Sequence, residues 1–257
     1  MHNIKQTLNK YVETFNTEVF IENDPIQIPH GFSKREDIEI AGFLAATIAW
    51  GQRKSIINNA KRLMEMMENS PYLFVTQANS ATDWQPIKKF VHRTFNGEDC
   101  LFFLHSLRNI YLKHNGLETV FTKGFERDST IFGTLAYFRK IFLELPHEKR
   151  VEKHLSDVSR GSAAKRLNMF LRWMVRQDRH GVDFGLWQNI PAAALMLPLD
   201  VHSSSIARKL GLLTRPQNDW KAVEEITAVL REFDPQDPVK YDFALFGIGV
   251  NRVTQLS

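Results

Sequence analysis

Hydrophobic residues in this chain recur at intervals of three and four almost throughout, and no stretch alternates convincingly with a period of two. The first spacing lines one face of a helix, whereas a half-buried strand requires the second, so the chain is confined to an all-α fold. Asp37 to Trp50 constrains it further. After Ile40 this segment reads AGFLAATIAW, apolar on nearly every side, which suits a helix only at the centre of a packed body. Ser33-Lys-Arg-Glu36 ahead of it has the form of a capping box. Lys54 to Glu68 is amphipathic instead, with Ile56, Ile57, Ala60, Leu63, Met64 and Met67 on one stripe and a stop at Asn69-Ser70-Pro71.

Further helices are expected over Glu98 to Lys113, Thr130 to Leu145, Ala164 to Gln177 and Val201 to Leu210. A last amphipathic helix carries Val223, Ile226, Leu230 and Phe233, and Asp237-Pro238 has the form of an N-cap followed by a first-turn proline. With 257 residues, 43% of them hydrophobic, the chain can bury a sizeable core, read as a single compact unit (1–257) of two lobes. No Gly/Ser linker marks a boundary between them, and Ala78 to Pro86 is the one loose tract. No apolar run approaches the roughly 20 residues of a membrane helix, and the polar start MHNIKQTLNK lacks a signal peptide's apolar region, so a cytoplasmic protein is expected. The single cysteine, Cys100, excludes an internal disulfide and any four-cysteine cluster, and the nine histidines show no ligand spacing. Neither a metal nor a cofactor is expected.

Charge is concentrated. From Arg139 to His180 there are eleven Lys/Arg against five Asp/Glu, an excess of six in a chain whose whole net charge is +4. Within that segment Leu167, Phe170, Leu171 and Met174 form a core stripe, while Lys165, Arg172, Arg176 and Arg179 fall within about 40° of another line on the same helix. The preceding loop SRGSAAK supplies Gly161 and Ser162, small enough for backbone N–H groups to approach a phosphate. With Arg166 these residues make a candidate polyanion surface, against the plainer reading of a solvated face.

Two further residues carry chemistry. Lys165 stands at a helix start and Asp200 follows Leu-Pro-Leu and precedes Val-His-Ser-Ser, a good N-cap position whose carboxylate can still present its second oxygen. The segments LPLDVHSSSIARKLGLL, WKAVEEITAVLREF and YDFALFGIGVNR, in this order and spacing, resemble the C-terminal half of the helix-hairpin-helix DNA glycosylase superfamily, over roughly Leu155 to Arg252. AATIAWGQRKSIINNAKRL is a weaker echo of the helix, polar wedge loop and helix that face the minor groove in that superfamily. The superfamily's usual hairpin is altered here to RHGVDFGLW, without a lysine, and cysteines after the last helix are missing. The divergent archaeal 8-oxoguanine glycosylase branch, whose lysine lies further upstream of the Asp, is a better match to Lys165 at 35 positions before Asp200. The whole chain also resembles an uncharacterised bacterial family of this length.

The resemblance implies a two-lobed helix-hairpin-helix fold with a cleft between the lobes, and base-excision repair acting on a damaged purine, oxidised ones included, with lyase activity an open addition. Lys165 would attack the sugar C1′ and hold the opened sugar as a Schiff base, and Asp200 would stabilise the oxocarbenium ion; Arg166 or burial would have to depress the lysine. Gln52 and Arg53 would fill the gap left by a flipped base, with Trp50, Trp173, Trp187 and His202 around it and Phe95, Asn96 and Cys100 as weaker pocket candidates. The expected partner is duplex DNA bound by a monomer, with RNA left open. A non-catalytic nucleic-acid-binding protein of the same fold is the alternative, and a protein-interaction domain would need none of these groups.

Overall fold

The computed structural model describes residues 2–251; Arg252, the end of the segment quoted above, lies outside them. Along the chain the helices are α1 (His2–Phe15), α2 (Glu18–Glu22), α3 (Gln27–His30), α4 (Arg35–Thr47), α5 (Arg53–Met66) and α6 (Pro71–Gln77). A small antiparallel hairpin, β1 (Val91–His92) and β2 (Phe95–Asn96), precedes α7 (Gly97–Lys113), α8 (Leu117–Asp128) and α9 (Ile131–Phe142). Then follow α10 (Lys165–Val175), α11 (Val201–Lys209), α12 (Trp220–Phe233) and α13 (Tyr241–Val250), with short 3-10 turns between. The protein is therefore mostly helical, and among the described residues the hairpin is the one sheet. No described helix is long and apolar enough to cross a membrane.

The chain divides into a central unit, Asn23–Ser156, and a terminal unit made of Met1–Glu22 with Asp157–Ser257. Ala78 to Pro86 is no linker. Trp84 within it is 1% exposed, donates its indole N–H to the Phe74 carbonyl and lies under the Arg108 guanidinium, so the tract belongs inside the central unit.

The central unit is organised around α4. Every residue from Ile38 to Thr47 is buried, as the apolar run requires. Its start is not the expected capping box, because the helix begins at Arg35 with Lys34 at the N-cap and no side-chain cap. The buried Glu39 instead accepts from Arg35 and from the Tyr111 hydroxyl at 2.6 Å, and Asp37 accepts the Tyr72 N–H at 2.8 Å. Those long-range bonds set its position. Phe43 meets Phe103, Phe138 and Phe142 at ring separations of 6.1, 5.6 and 5.3 Å, and Phe121 stacks on Phe138 at 4.2 Å. Each such ring contributes about 1.5–3 kcal/mol by burial. α4 stops at Thr47, earlier than expected, where the chain turns through Gly51 at φ +103°.

In the terminal unit α13 is the axis, packed by α1 and α11. Its two glycines explain how they approach. A Cβ on Gly247 would fall inside the Phe15 ring of α1, and one on Gly249 would sit 3.0 Å from the His202 Cβ of α11. α12 is capped by Asp219, which accepts from the Ala222 N–H. Asp237 does not cap the turn it precedes, because its carboxylate is engaged by Arg176.

Candidate functional site

The chemistry-bearing residues of the terminal unit gather on α10 and the starts of α11 and α13. Arg172 in the last turn of α10 and Arg176, the C-cap residue just after it, are 2% and 1% exposed. Arg172 donates Nε to Asp183 at 3.2 Å and Nη1 to Asp242. Arg176 donates Nε to Asp237 at 2.9 Å, Nη1 to Asp183 at 3.0 Å and Nη2 to Asp178 at 2.7 Å. Both guanidinium groups lie over the Phe243 ring, at 4.3 and 5.3 Å from its centre. The expected solvent-facing cationic stripe is thus corrected at these two positions: they are internal, and each is committed to carboxylates. Helical spacing put them on one face, but that face turns inward because Asp183, Asp237 and Asp242 are brought to it.

Two arginines against four aspartates leave an excess of negative charge, and the carboxyl groups respond differently. Burial raises Asp242 to about 7, with Arg172 opposing and the neighbouring Asp200 adding to the shift. Burial also lifts Asp237 above the ordinary carboxylate range despite Arg176. At Asp178 burial is outweighed by Arg176, the His180 N–H and the Asn16 amide, which together hold it low. A cavity of about 700 Å³ opens at the Arg176 end, walled by Asn9, Asn16, Arg176, Asp178, Asp237 and Lys240 among others; Lys165 and Asp200 are not in its walls.

Lys165 and Asp200 lie at the Asp242 end, and both bear on the charge of Asp242. Asp200 is the N-cap of α11, with the His202 and Ser203 N–H groups and the Ser203 hydroxyl bonded to Oδ1 at 2.8, 2.9 and 2.8 Å. All three of these bonds fall on Oδ1. Lys165 opens α10, and its Nζ meets the Met169 sulfur at 3.3 Å rather than a carboxylate. Ala164 before it is held at φ +47°, strained for alanine, by bonds from Asn168 to the carbonyls of Ala163 and Ala164. Asp242 was missed in the sequence because a lone Asp in the first turn of a helix reads as a solvated dipole partner. Its place within YDFALFGIGVNR was the available signal.

The other expected residues divide. The N–H groups of Gly161, Ser162 and Ala164 are already donated to Val158, Asp157 and the Ser162 hydroxyl, so they form no open phosphate cradle. Arg166 is half-buried, and burial brings its guanidinium down to about 10. Trp173 and Trp187 are 0% and 1% exposed, the latter edge-on to Phe170; they are core and cannot stack on an extruded base. His202 is exposed, edge-on to Phe246 at 6.1 Å. In the central unit Phe95 and Cys100 are fully buried and Asn96 caps α7, which corrects their pocket assignment; burial pushes the Cys100 thiol up. Trp50 is half-buried between His92 and His154, Gln52 is exposed and Arg53 partly so. The basic segment itself is divided between the units, and Arg139, Arg150 and Arg160 within it are paired with Glu152, Asp99 and Asp157.

Fold and site define a helical protein with a lysine and two carboxylates set beside a buried arginine–aspartate network. The chain matches, over residues 24–251, the family described as Protein of unknown function (DUF2400), and it belongs to that family. No curated protein and no solved structure matches it. Among the described residues no group of three or more His, Cys, Asp or Glu side chains could hold a metal ion.

Proposed function

We propose that the protein is a DNA N-glycosylase of helix-hairpin-helix type, acting on a damaged purine through Lys165 and Asp200, with the two-lobed cleft of that architecture. The observation that supports this reading is that Lys165 and Asp200, each at a helix start, both act on the charge of the buried Asp242, which burial raises to about 7. In its neutral form the Lys165 amine attacks C1′ as the base departs. Asp200 supplies the negative charge beside the developing oxocarbenium ion. The Lys165 amine then holds the sugar as a Schiff base, which permits strand cleavage by β-elimination.

Borohydride trapping on a panel of duplexes, each with one damaged purine, tests this. Wild-type protein is expected to form a covalent adduct with at least one duplex, and Lys165→Gln none. Asp200→Asn keeps a comparable cap, so its melting temperature should hardly move while its rate falls on the order of 10²-fold or more. A lower melting temperature with normal cleavage would reduce Asp200 to a cap. Absence of trapping and cleavage, with duplex binding retained, favours the non-catalytic nucleic-acid-binding reading, to which the internal use of Arg172 and Arg176 adds nothing.

A further inference from the structure

With Arg172 and Arg176 inside the terminal unit, the question becomes which cations of this chain face solvent without a carboxylate. The central unit answers it around the β1–β2 hairpin. Arg62 on α5, Lys88 and Lys89 ahead of β1, and Arg93 at the hairpin tip are all exposed, and among the described residues none of the four has an ion-pair partner. Arg35, Arg139 and Arg150 of the same unit all have carboxylate partners. Lys88, Lys89 and Arg93 lie within six residues of chain, and Arg62 is tied to them. Arg62 donates to the Lys89 carbonyl at 3.4 Å, and His92 between Lys89 and Arg93 receives the Asn59 amide of α5 at 3.0 Å. Lys54 and Lys61 extend the exposed side of α5, where Glu65 is the opposing charge.

Arg93 gives the surface its focus. It occupies the left-handed region at φ +55°, a conformation that glycine or asparagine adopts at lower cost in a two-residue hairpin turn. The side chain so displayed reaches the Gly51 turn, where a Cβ would stand 2.8 Å from its Nη1. Gly51 at φ +103° therefore serves both the turn and the passage of the arginine. The guanidinium is set beside Gly51, in a turn anchored by the His92 Nε2 contact to the Trp50 carbonyl at 3.1 Å.

We propose that the hairpin tip Arg93, with Arg62, Lys88 and Lys89, is a docking surface for the phosphate backbone of duplex DNA, bordering the Gly51–Gln52 turn. This rests on the nucleic-acid reading above, but not on its catalytic step. Exposed cations gathered on one surface are what counterion release rewards, and they fix orientation without reading sequence.

The test is binding of a short undamaged DNA duplex by the full chain across a KCl series. Replacing all four residues, as Arg62→Gln, Lys88→Gln, Lys89→Gln and Arg93→Gly, should lower the slope of log K against log salt by about 3 to 4 and weaken binding at least tenfold, on the order of one phosphate contact per residue. Arg93→Gly alone should lower the slope by about 1 while leaving melting unchanged or raised, since glycine relieves the positive φ. Lys123→Gln, an equal charge loss on an exposed part of α8, should leave the slope unaltered. A wild-type slope in the fourfold variant overturns the surface, as does a wild-type protein that ignores duplex DNA or prefers single-stranded RNA. Normal salt dependence without borohydride trapping supports the surface and removes the glycosylase chemistry; trapping with an unchanged slope in the variant does the reverse.

Discussion

The two units of this protein solve the same packing problem with opposite materials. In the central unit the deepest residues are rings, Phe43, Phe103, Phe138 and Phe142, in mutual contact. Its buried carboxylates are few: Glu39 is met by Arg35, Asp99 by Arg150, and Asp24 accepts the Ile26 N–H. In the terminal unit Arg172 and Arg176 sit at the centre with Asp178, Asp183, Asp237 and Asp242 around them. Apolar burial is favourable at any pH, whereas buried ions must recover a large desolvation cost through pairing, and a hydrophobic substitute is often as stable. The lesson is that the terminal unit places among its buried ion pairs a carboxyl, Asp242, that burial raises to about 7. An excess of carboxylate over guanidinium is tolerable only if a proton is retained, and Asp242 at about 7 retains it.

The sharpest way to break this contrast is Arg176→Leu. It leaves three carboxylates short of a cation and should destabilise by about 4 kcal/mol, read as a fall in the urea midpoint. A loss below about 1 kcal/mol would mean that the network is hydrated and structurally idle. Phe142→Ala in the central unit should cost about 3 kcal/mol by leaving a cavity among the rings, and the loss should be the same at about pH 5 and pH 8. Its dependence on pH would undo the distinction between the cores.

The smallest effect is the most specific. Asp242 has a folded-state pKa raised from 3.8 to about 7, so between those values the folded protein holds a proton that the unfolded chain has released. Stability contributed by this group is greatest at low pH, falls as pH rises through that window and is level above it. Asp242→Asn removes the titration, so the difference in stability between wild type and variant should change by up to about 1.4 kcal/mol per pH unit inside the window. Equilibrium unfolding at several pH values checks it. A difference independent of pH would mean that Asp242 is ionised throughout.

Much of the helical architecture was legible. α5, α10 and α12 have an apolar stripe with polar flanks, and period alone places them to within a few residues. The Asn115-Gly116 stop after α7 and the Gly211 turn after α11 were equally plain, because positive φ suits those residues. Helices α1, α2, α3, α6 and α8 were not singled out, being polar, short or weakly periodic, and they form where tertiary contacts hold them. Ser33 and Asp237 had the right chemistry for caps and are not used as caps. Whether a cap forms depends on what else reaches the side chain, and Arg176 reaches Asp237 from 61 positions away.

For the site, the residue types at Lys165 and Asp200 and their positions at helix starts could be read directly, since both are local properties of the chain. Spacing also said correctly that Arg172 and Arg176 share a face with each other. It could not say that the face is interior, because their partners lie between 2 and 70 positions away and only the folded chain brings them together. The same limit hid Asp242, whose proton affinity is a sum over Arg172, Asp200, Lys165 and Asp183. Periodicity and capping preferences are short-range, and a sequence states them openly. Burial of a charge, and the shift in its titration that follows, is a long-range electrostatic quantity that does not exist until the chain has folded around it.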